Sequence, residues 1–390
     1  MSKRVILVWF RNDLRTSDNE VLLSAVEKSD FIIPVYIFDP RYYTVGKFNF
    51  SKTGELRQKY ITQTVASLKR KLELLGGDLL TYEGYPEEII PQLVQKYDVD
   101  EVYHHREVAR RETHISELVE ESLWKVKRNL KHFIGHTMYH KEDLPFPIKD
   151  IPNDFNTFKK KVAKESFVRT TLADINKISL PPHLEKAVFP YDISEENLSN
   201  YGEEAALLKL HEILNHSDNK NDFYTSISPF LALGVLSPAQ VYHFVQSNLN
   251  AHNKKKLNFL LDGLLWRDYY RFMLKKFPNR YFKTQNLDGQ NPEILESFVN
   301  ARTNCDYVNE LVEKINKSGE LNRDEREYLA LYFVYALKQN WLNGAAFFEQ
   351  QLIDYAPATI YGFWAHIGEE GTSSKNNRSQ ADWERVKKCD

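Results

Sequence analysis

Cysteine is nearly absent from this 390-residue chain, which has only Cys305 and Cys389. They stand far apart without metal-ligand spacing, which argues against a disulfide scaffold or a structural zinc and points to a reducing compartment. Net charge is also nearly absent, at −2. Any binding to nucleic acid must therefore come from a local basic patch and not from overall attraction. No apolar run approaches the ~20 residues that a membrane-crossing helix needs. The N-terminus passes straight into the strand-like Val5–Phe10, without the apolar stretch and small-residue cleavage site of a signal peptide. No internal repeat and no low-complexity segment is found. What remains is a cytoplasmic protein with no membrane partner and no metal, read as a monomer.

Aromatic residues are plentiful instead, with 22 Tyr, 23 Phe and 6 Trp, and core filling accounts for most of them. The length allows two or three domains. The first third alternates strand and helix patterns. Val5–Phe10, Phe31–Phe38, Asp78–Tyr82 and Glu101–His105 read as strands. Asn19–Glu27, Glu55–Leu75 (closed by Gly76-Gly77) and Pro86–Tyr97 read as helices. Continuous apolar strands alternating with helices predict a doubly wound parallel sheet over residues 1–135. Residues 136–196 read as a proline-punctuated linker with one helix near Asp154–Lys164. Residues 197–390 show helical signals only: Glu203–Asn215, Pro238–Leu249, Lys255–Lys276, Asp306–Lys317, Arg323–Gln339 and Ala345–Asp354. The predicted fold is an α/β domain joined by a long linker to an all-α domain.

Thr225, Ser226 and Ser228 crowd ahead of Pro229 and an apolar, helix-like run. Clustered hydroxyls beside the free amides of a helix start suit a phosphate, because first-turn N–H groups lack partners and the dipole end is positive. Taken alone, the same residues also read as an ordinary N-cap. Downstream stands Leu264-Leu-Trp-Arg-Asp-Tyr-Tyr-Arg271.

Together with Val8-Trp-Phe-Arg-Asn-Asp-Leu-Arg15, Pro34–Pro40, Thr137-Met-Tyr-His-Lys-Glu-Asp-Leu-Pro-Phe146, Gln351–Tyr355 and Gly362-Phe-Trp364, these segments resemble the photolyase/cryptochrome family, specifically its DASH-type cryptochromes. The resemblance spans nearly the whole chain. It implies a helical domain that binds FAD, with Thr225, Ser226 and Ser228 at the diphosphate and an Arg326–Asp354 pair beside the flavin ring. It also implies an electron relay through Trp364 and Trp341, with Phe298 at the third position, and Trp266 as the residue that stacks on substrate. Arg267, Lys275 and Lys276 would meet DNA phosphate. A folate antenna (methenyltetrahydrofolate) is implied near Glu107 and Asp143, whose other reading is ordinary surface carboxylates. Single-stranded or damaged DNA is the implied partner.

Several positions depart from the family pattern. The carboxylate that supports the damaged bases is Gly263, and the amide beside flavin N5 is Ile360. A second acidic flavin contact is Ala356, and one of an arginine pair is Asp324. Loss of one preorganised polar group in an active site costs ~100- to 1000-fold in rate. The expectation is an FAD-dependent, blue-light-responsive flavoprotein with weak or lost dimer repair. The alternatives are an active photolyase for cyclobutane pyrimidine dimers in single-stranded DNA, and a scaffold that no longer binds FAD.

Overall fold

The computed structural model describes residues 3–193, 195–215, 222–284, 289–372 and 379–387. Asn221 and Cys389 lie outside them. Five strands, β1 (Val5–Phe10), β2 (Phe31–Phe38), β3 (Leu80–Glu83), β4 (Glu101–His105) and β5 (Asn129–Phe133), form one parallel sheet in the order β3-β2-β1-β4-β5. All six residues of β1 are buried, as a central strand covered on both faces requires. The covering helices are α1 (Glu20–Lys28), α2 (Glu55–Leu74), α3 (Pro86–Lys96) and α4 (Arg110–Lys125). Asn19 caps α1 by accepting from the Leu22 amide. Helix α4 and strand β5 were not expected from the sequence.

The linker holds α5 (Phe155–Glu165), capped by Asp154. The helical half comprises α6 (Glu203–Asn215), α7 (Asp222–Ala232), α8 (Pro238–Asn248), α9 (Lys254–Lys276), α10 (Pro292–Val299), α11 (Asp306–Ser318), α12 (Arg323–Leu331), α13 (Trp341–Gln351), α14 (Pro357–Ile367) and α15 (Ser379–Val386). The single helix expected over Arg323–Gln339 is interrupted. After Leu331 the chain makes a π-turn over Tyr332–Ala336, and Lys338 takes a left-handed φ of 51°.

The two halves meet where strand order reverses between β1 and β4, the usual crevice of such sheets. Leu14 donates its amide to Leu233 O at 3.0 Å, and Arg15 donates to Gly234 O at 2.8 Å. Gly234 has φ +68°, and a Cβ there would run into the Asn12 carbonyl and lie 2.7 Å from Asp13 Cα. Only glycine permits that approach. Glu107 sits in the same seam with Asn12 Nδ2 at 3.0 Å, Arg271 Nη2 at 3.1 Å and the His136 ring at 3.2 Å. The linker is pinned to α9 by Asp268, whose carboxylate accepts from the Met138 and Tyr139 amides, each at 3.0 Å.

Cys305 is buried, 4% exposed. Among the described residues, no helix is long and apolar enough to cross a membrane.

Candidate functional site

Helices α7, α9, α12 and the turn after α13 converge on one polar cluster. Arg326 Nη2 lies 2.9 Å from Asp354 Oδ2, with side chains 13% and 4% exposed. Arg326 Nε also donates to Leu321 O at 2.8 Å, which fixes the guanidinium plane. The hydroxyl of Ser228 reaches the same Asp354 oxygen. Asp354 Oδ1 is buried and has no hydrogen-bond partner. The expected Arg326–Asp354 pair is therefore formed, together with Ser228, and one carboxylate oxygen is left over.

The hydroxyl cluster is placed differently from the expectation. Helix α7 begins at Asp222 and runs through Pro229, so Thr225, Ser226 and Ser228 lie inside the helix and not ahead of it. Ser226 donates to Phe223 O at 2.9 Å, and Ser228 is 3.0 Å from Thr225 O. These hydroxyls bond back to their own helix, as Ser and Thr often do in helix interiors. The free first-turn amides precede them, because within the helix each N–H is used four residues back.

The tryptophans separate into two places. Trp364 is fully buried, edge-on to Phe348 (5.0 Å between ring centroids) and Phe333 (5.7 Å). Trp341 is 3% exposed, and a Cβ on Gly368 would lie 2.8 Å from its Cγ. Both indole N–H groups are buried without a partner. Phe298, expected at the outer relay position, is fully buried against Phe333 at 4.9 Å and Phe347 at 5.8 Å. It is a core ring and not a surface terminus.

Trp266 is partly buried, with a ring stacked on one face. Phe155 of α5 stacks on it at 3.6 Å and 9°, and Tyr270 lies 5.3 Å away. Lys159 ties the same linker helix to α9 through Asp262 at 2.6 Å. A base stacking on that face of Trp266 would have to displace Phe155. Arg267, expected at phosphate, is buried. It donates to the His136 and Leu231 carbonyls, and burial lowers it to about 10. Lys276 is spent on Ile151 O and Asn153. Asp324 is exposed, as a surface contact requires.

Glu107 and Asp143 are not brought together. Glu107 is 6% exposed, and His136 and Arg271 hold it well below the carboxylate range against its burial. Asp143 pairs with Arg169 at 2.6 Å. An interdomain cleft lies elsewhere, lined by Lys52, Arg111, Phe282, Lys283 and Tyr361, with a volume of about 330 Å³. Glu349 forms its floor, bonded to the Tyr361 hydroxyl at 2.6 Å and to Arg111 at 3.2 Å.

Sequence reasoning passed over two residues that matter here. Phe155 caps Trp266. Tyr224, directly before Thr225, lays its ring on Gly263, where an added Cβ would overlap it. The available signals were an aromatic inside a hydroxyl run and a glycine inside a long helix.

Residues 6–176 match the model of DNA photolyase, and residues 259–390 match the FAD binding domain of DNA photolyase. The cryptochrome DASH of Gloeobacter violaceus is 32% identical, with 97% of this chain and 82% of that protein covered. This chain belongs to the photolyase/cryptochrome family, with the DASH cryptochromes. The chloroplastic/mitochondrial cryptochrome DASH of Arabidopsis thaliana is likewise 32% identical, over 96% of this chain and 72% of that one. The crystal structure of the Synechocystis cryptochrome superposes with a TM-score of 0.86 at 30% identity, covering 97% of this chain and 84% of that one. The domain that carries Arg326 and Asp354 is thus of the FAD-binding type.

The residues fit FAD at one end of the site. A buried carboxylate oxygen with no donor is costly, and Asp354 Oδ1 calls for an N–H such as a flavin ring supplies. Ile360, expected beside the flavin, is a buried hydrocarbon side chain and offers no hydrogen bond.

Proposed function

We propose that this DASH-type homologue works as an FAD-dependent, blue-light-responsive flavoprotein in which dimer repair is weak or lost. The observation that carries this reading is the stack of Phe155 on Trp266. It fills the place a flipped base would take, next to a position, Gly263, that brings no carboxylate. Removing a base from its stack costs a few kcal/mol, normally recovered by stacking and polar contacts in the pocket. Here the aromatic partner is already engaged and the polar partner is missing.

Bound FAD supplies light absorption and one-electron chemistry. Arg326 and Asp354 would hold it, with Ser228 orienting the carboxylate. Thr225 and Ser226, both partly accessible, would face the diphosphate, Ser226 turning from the Phe223 carbonyl. Trp364 and Trp341 would pass electrons inward, while Phe298, buried and hard to oxidise, ends the relay short of the surface. Single-stranded DNA remains the proposed partner of the α5–α9 face. The proposed setting is a monomer in the cytoplasm, checked by light scattering and fractionation. A folate, if carried, suits the Lys52–Arg111–Lys283 cleft better than Glu107 or Asp143. Its cations match glutamate carboxylates, and Phe282 and Tyr361 are aromatic neighbours for a planar ring.

Light-dependent reversal of pyrimidine dimers in single-stranded DNA tests the central reading. The expected rate is ~100-fold or more below that of a repairing DASH relative. A comparable rate would establish the active photolyase instead.

A further inference from the structure

A relay through Trp364 and Trp341 needs an outer donor, and Phe298 is a buried phenyl ring, far harder to oxidise than an indole. The two indoles are locked into one seam between α13 and α14. Gly344, in the turn of α13 that follows Trp341, leaves the room that the Trp364 ring fills: a Cβ there would sit 2.9 Å from its Cζ2. Gly368, at the end of α14, bears the Trp341 ring in the same way, with 2.8 Å to its Cγ. Tyr335 reaches this seam from the π-turn over Tyr332–Ala336, and such turns often mark functional positions. Its hydroxyl has two acceptors, Ile367 O at 2.8 Å and Glu369 Oε1 at 3.0 Å. Ile367 O belongs to the peptide bond that enters Gly368, so the phenol bonds to the backbone on which Trp341 rests. Glu369 holds a left-handed φ of 59°, uncommon for a residue with a side chain, and from that turn its carboxylate meets the phenol. Tyr335 is partly exposed and Glu369 is exposed. Both indole N–H groups, by contrast, are buried without an acceptor, and that N–H is the one proton an indole has to give.

We infer that Tyr335 is the outer electron donor of the relay, with Glu369 as its proton acceptor. This rests on the relay reading above and gives it an exit that avoids Phe298. After Trp341 has passed an electron inward to Trp364, its indole is a radical cation that keeps its proton. An electron then moves from the Tyr335 phenol to Trp341, while the O–H bond breaks and the proton bonds to Glu369 Oε1. Trp341 is restored, Tyr335 becomes a neutral phenoxyl radical, and Glu369 becomes a carboxylic acid. A thiol in solution supplies the hydrogen atom that re-forms the phenol, and Glu369 returns its proton to water. A phenol that loses electron and proton together is easier to oxidise than an indole that must keep its proton. The step therefore runs from Tyr335 toward Trp341.

The test follows radicals by flash absorbance. An ultraviolet flash on cofactor-free protein ionises buried and exposed indoles alike, so this readout does not depend on FAD. In the wild type, part of the indole-radical signal is expected to convert to a phenoxyl signal, more slowly in heavy water because a proton moves in the same step. Trp341→Phe and Tyr335→Phe should each remove the same share of that conversion, and the double variant no more than either alone. Glu369→Gln should slow that share ~100-fold, the weight of a general base, and it carries the test if Tyr335→Phe does not fold. FAD-loaded protein is then bleached with blue light and a thiol, and Trp341→Phe and Tyr335→Phe should both bleach more slowly than the wild type. If Trp341→Phe bleaches slowly while Tyr335→Phe keeps the wild-type rate and the wild-type phenoxyl share, the proposal is refuted and the relay stands. If Trp341→Phe bleaches as fast as the wild type, the relay reading fails and the proposal falls with it.

Discussion

The two ends of the candidate site have been treated in opposite ways. At the Arg326–Asp354 end, polar groups from two helices and the turn after α13 are paired, buried and left one donor short. At the Trp266–Gly263 end, the Phe155 ring of α5 stacks on Trp266 and the Tyr224 ring of α7 lies on Gly263. One end still asks for a ligand, and the other satisfies itself. A cofactor site can outlast a substrate site within one pocket, because each end depends on different residues.

The largest effect that would break this comparison is expected at Asp354. Asp354→Ala leaves the Arg326 guanidinium buried without its counter-charge, at a cost of about 3–5 kcal/mol. Denaturant unfolding should show that loss together with abolished FAD uptake. Next comes Phe155→Ala, which removes a buried ring and should cost about 3 kcal/mol. It also bares Trp266, so indole emission should shift to the red and affinity for single-stranded DNA should rise. Unchanged emission would mean that Phe155 does not shield the indole.

Asp268→Asn probes the linker anchor that holds the two ends in register. Asn keeps one acceptor oxygen and turns an NH2 toward the other amide, which is expected to cost about 2 kcal/mol. Burial raises the Asp268 carboxyl from 3.8 to about 7, above its unfolded value. Its contribution to stability is therefore fully present below about 3.8 and is lost as pH rises through about 7. The wild-type Tm should decline over that window, and the Asn variant should decline less, so the deficit is smaller at pH 8 than at pH 5. The smallest effect belongs to Ser226→Ala. Its hydroxyl is spent on Phe223 O, so stability should stay within about 0.5 kcal/mol. FAD affinity should fall about tenfold if that hydroxyl turns to the diphosphate, the weight of one charge-assisted bond.

The sheet half was largely legible because β1 and β2 are apolar runs, and α1 and α3 carry Asn19 and Pro86 at their starts. Helix α4 escaped because Arg110-Arg-Glu-Thr-His opens it without a capping side chain. Strand β5, Asn-Leu-Lys-His-Phe, lacks any β-branched residue and sits at the sheet edge. The break after Leu331 depends on a π-turn that no local pattern announced. Within the site, Arg326 and Asp354 could be matched because family spacing ties them together. The pairs Phe155–Trp266 and Tyr224–Gly263 could not, because each joins residues distant in sequence that meet only through tertiary packing. The hydroxyl cluster was misplaced for a related reason: Pro229 was read as a helix start, yet α7 carries it inside.

The retained cofactor end is tested most directly by titrating FAD into purified wild-type and Asp354→Ala protein and recording the visible spectrum. The prediction is saturable flavin bands for the wild type and none for the variant. A colourless wild type that refuses FAD, or a folded variant that binds it equally well, would contradict it.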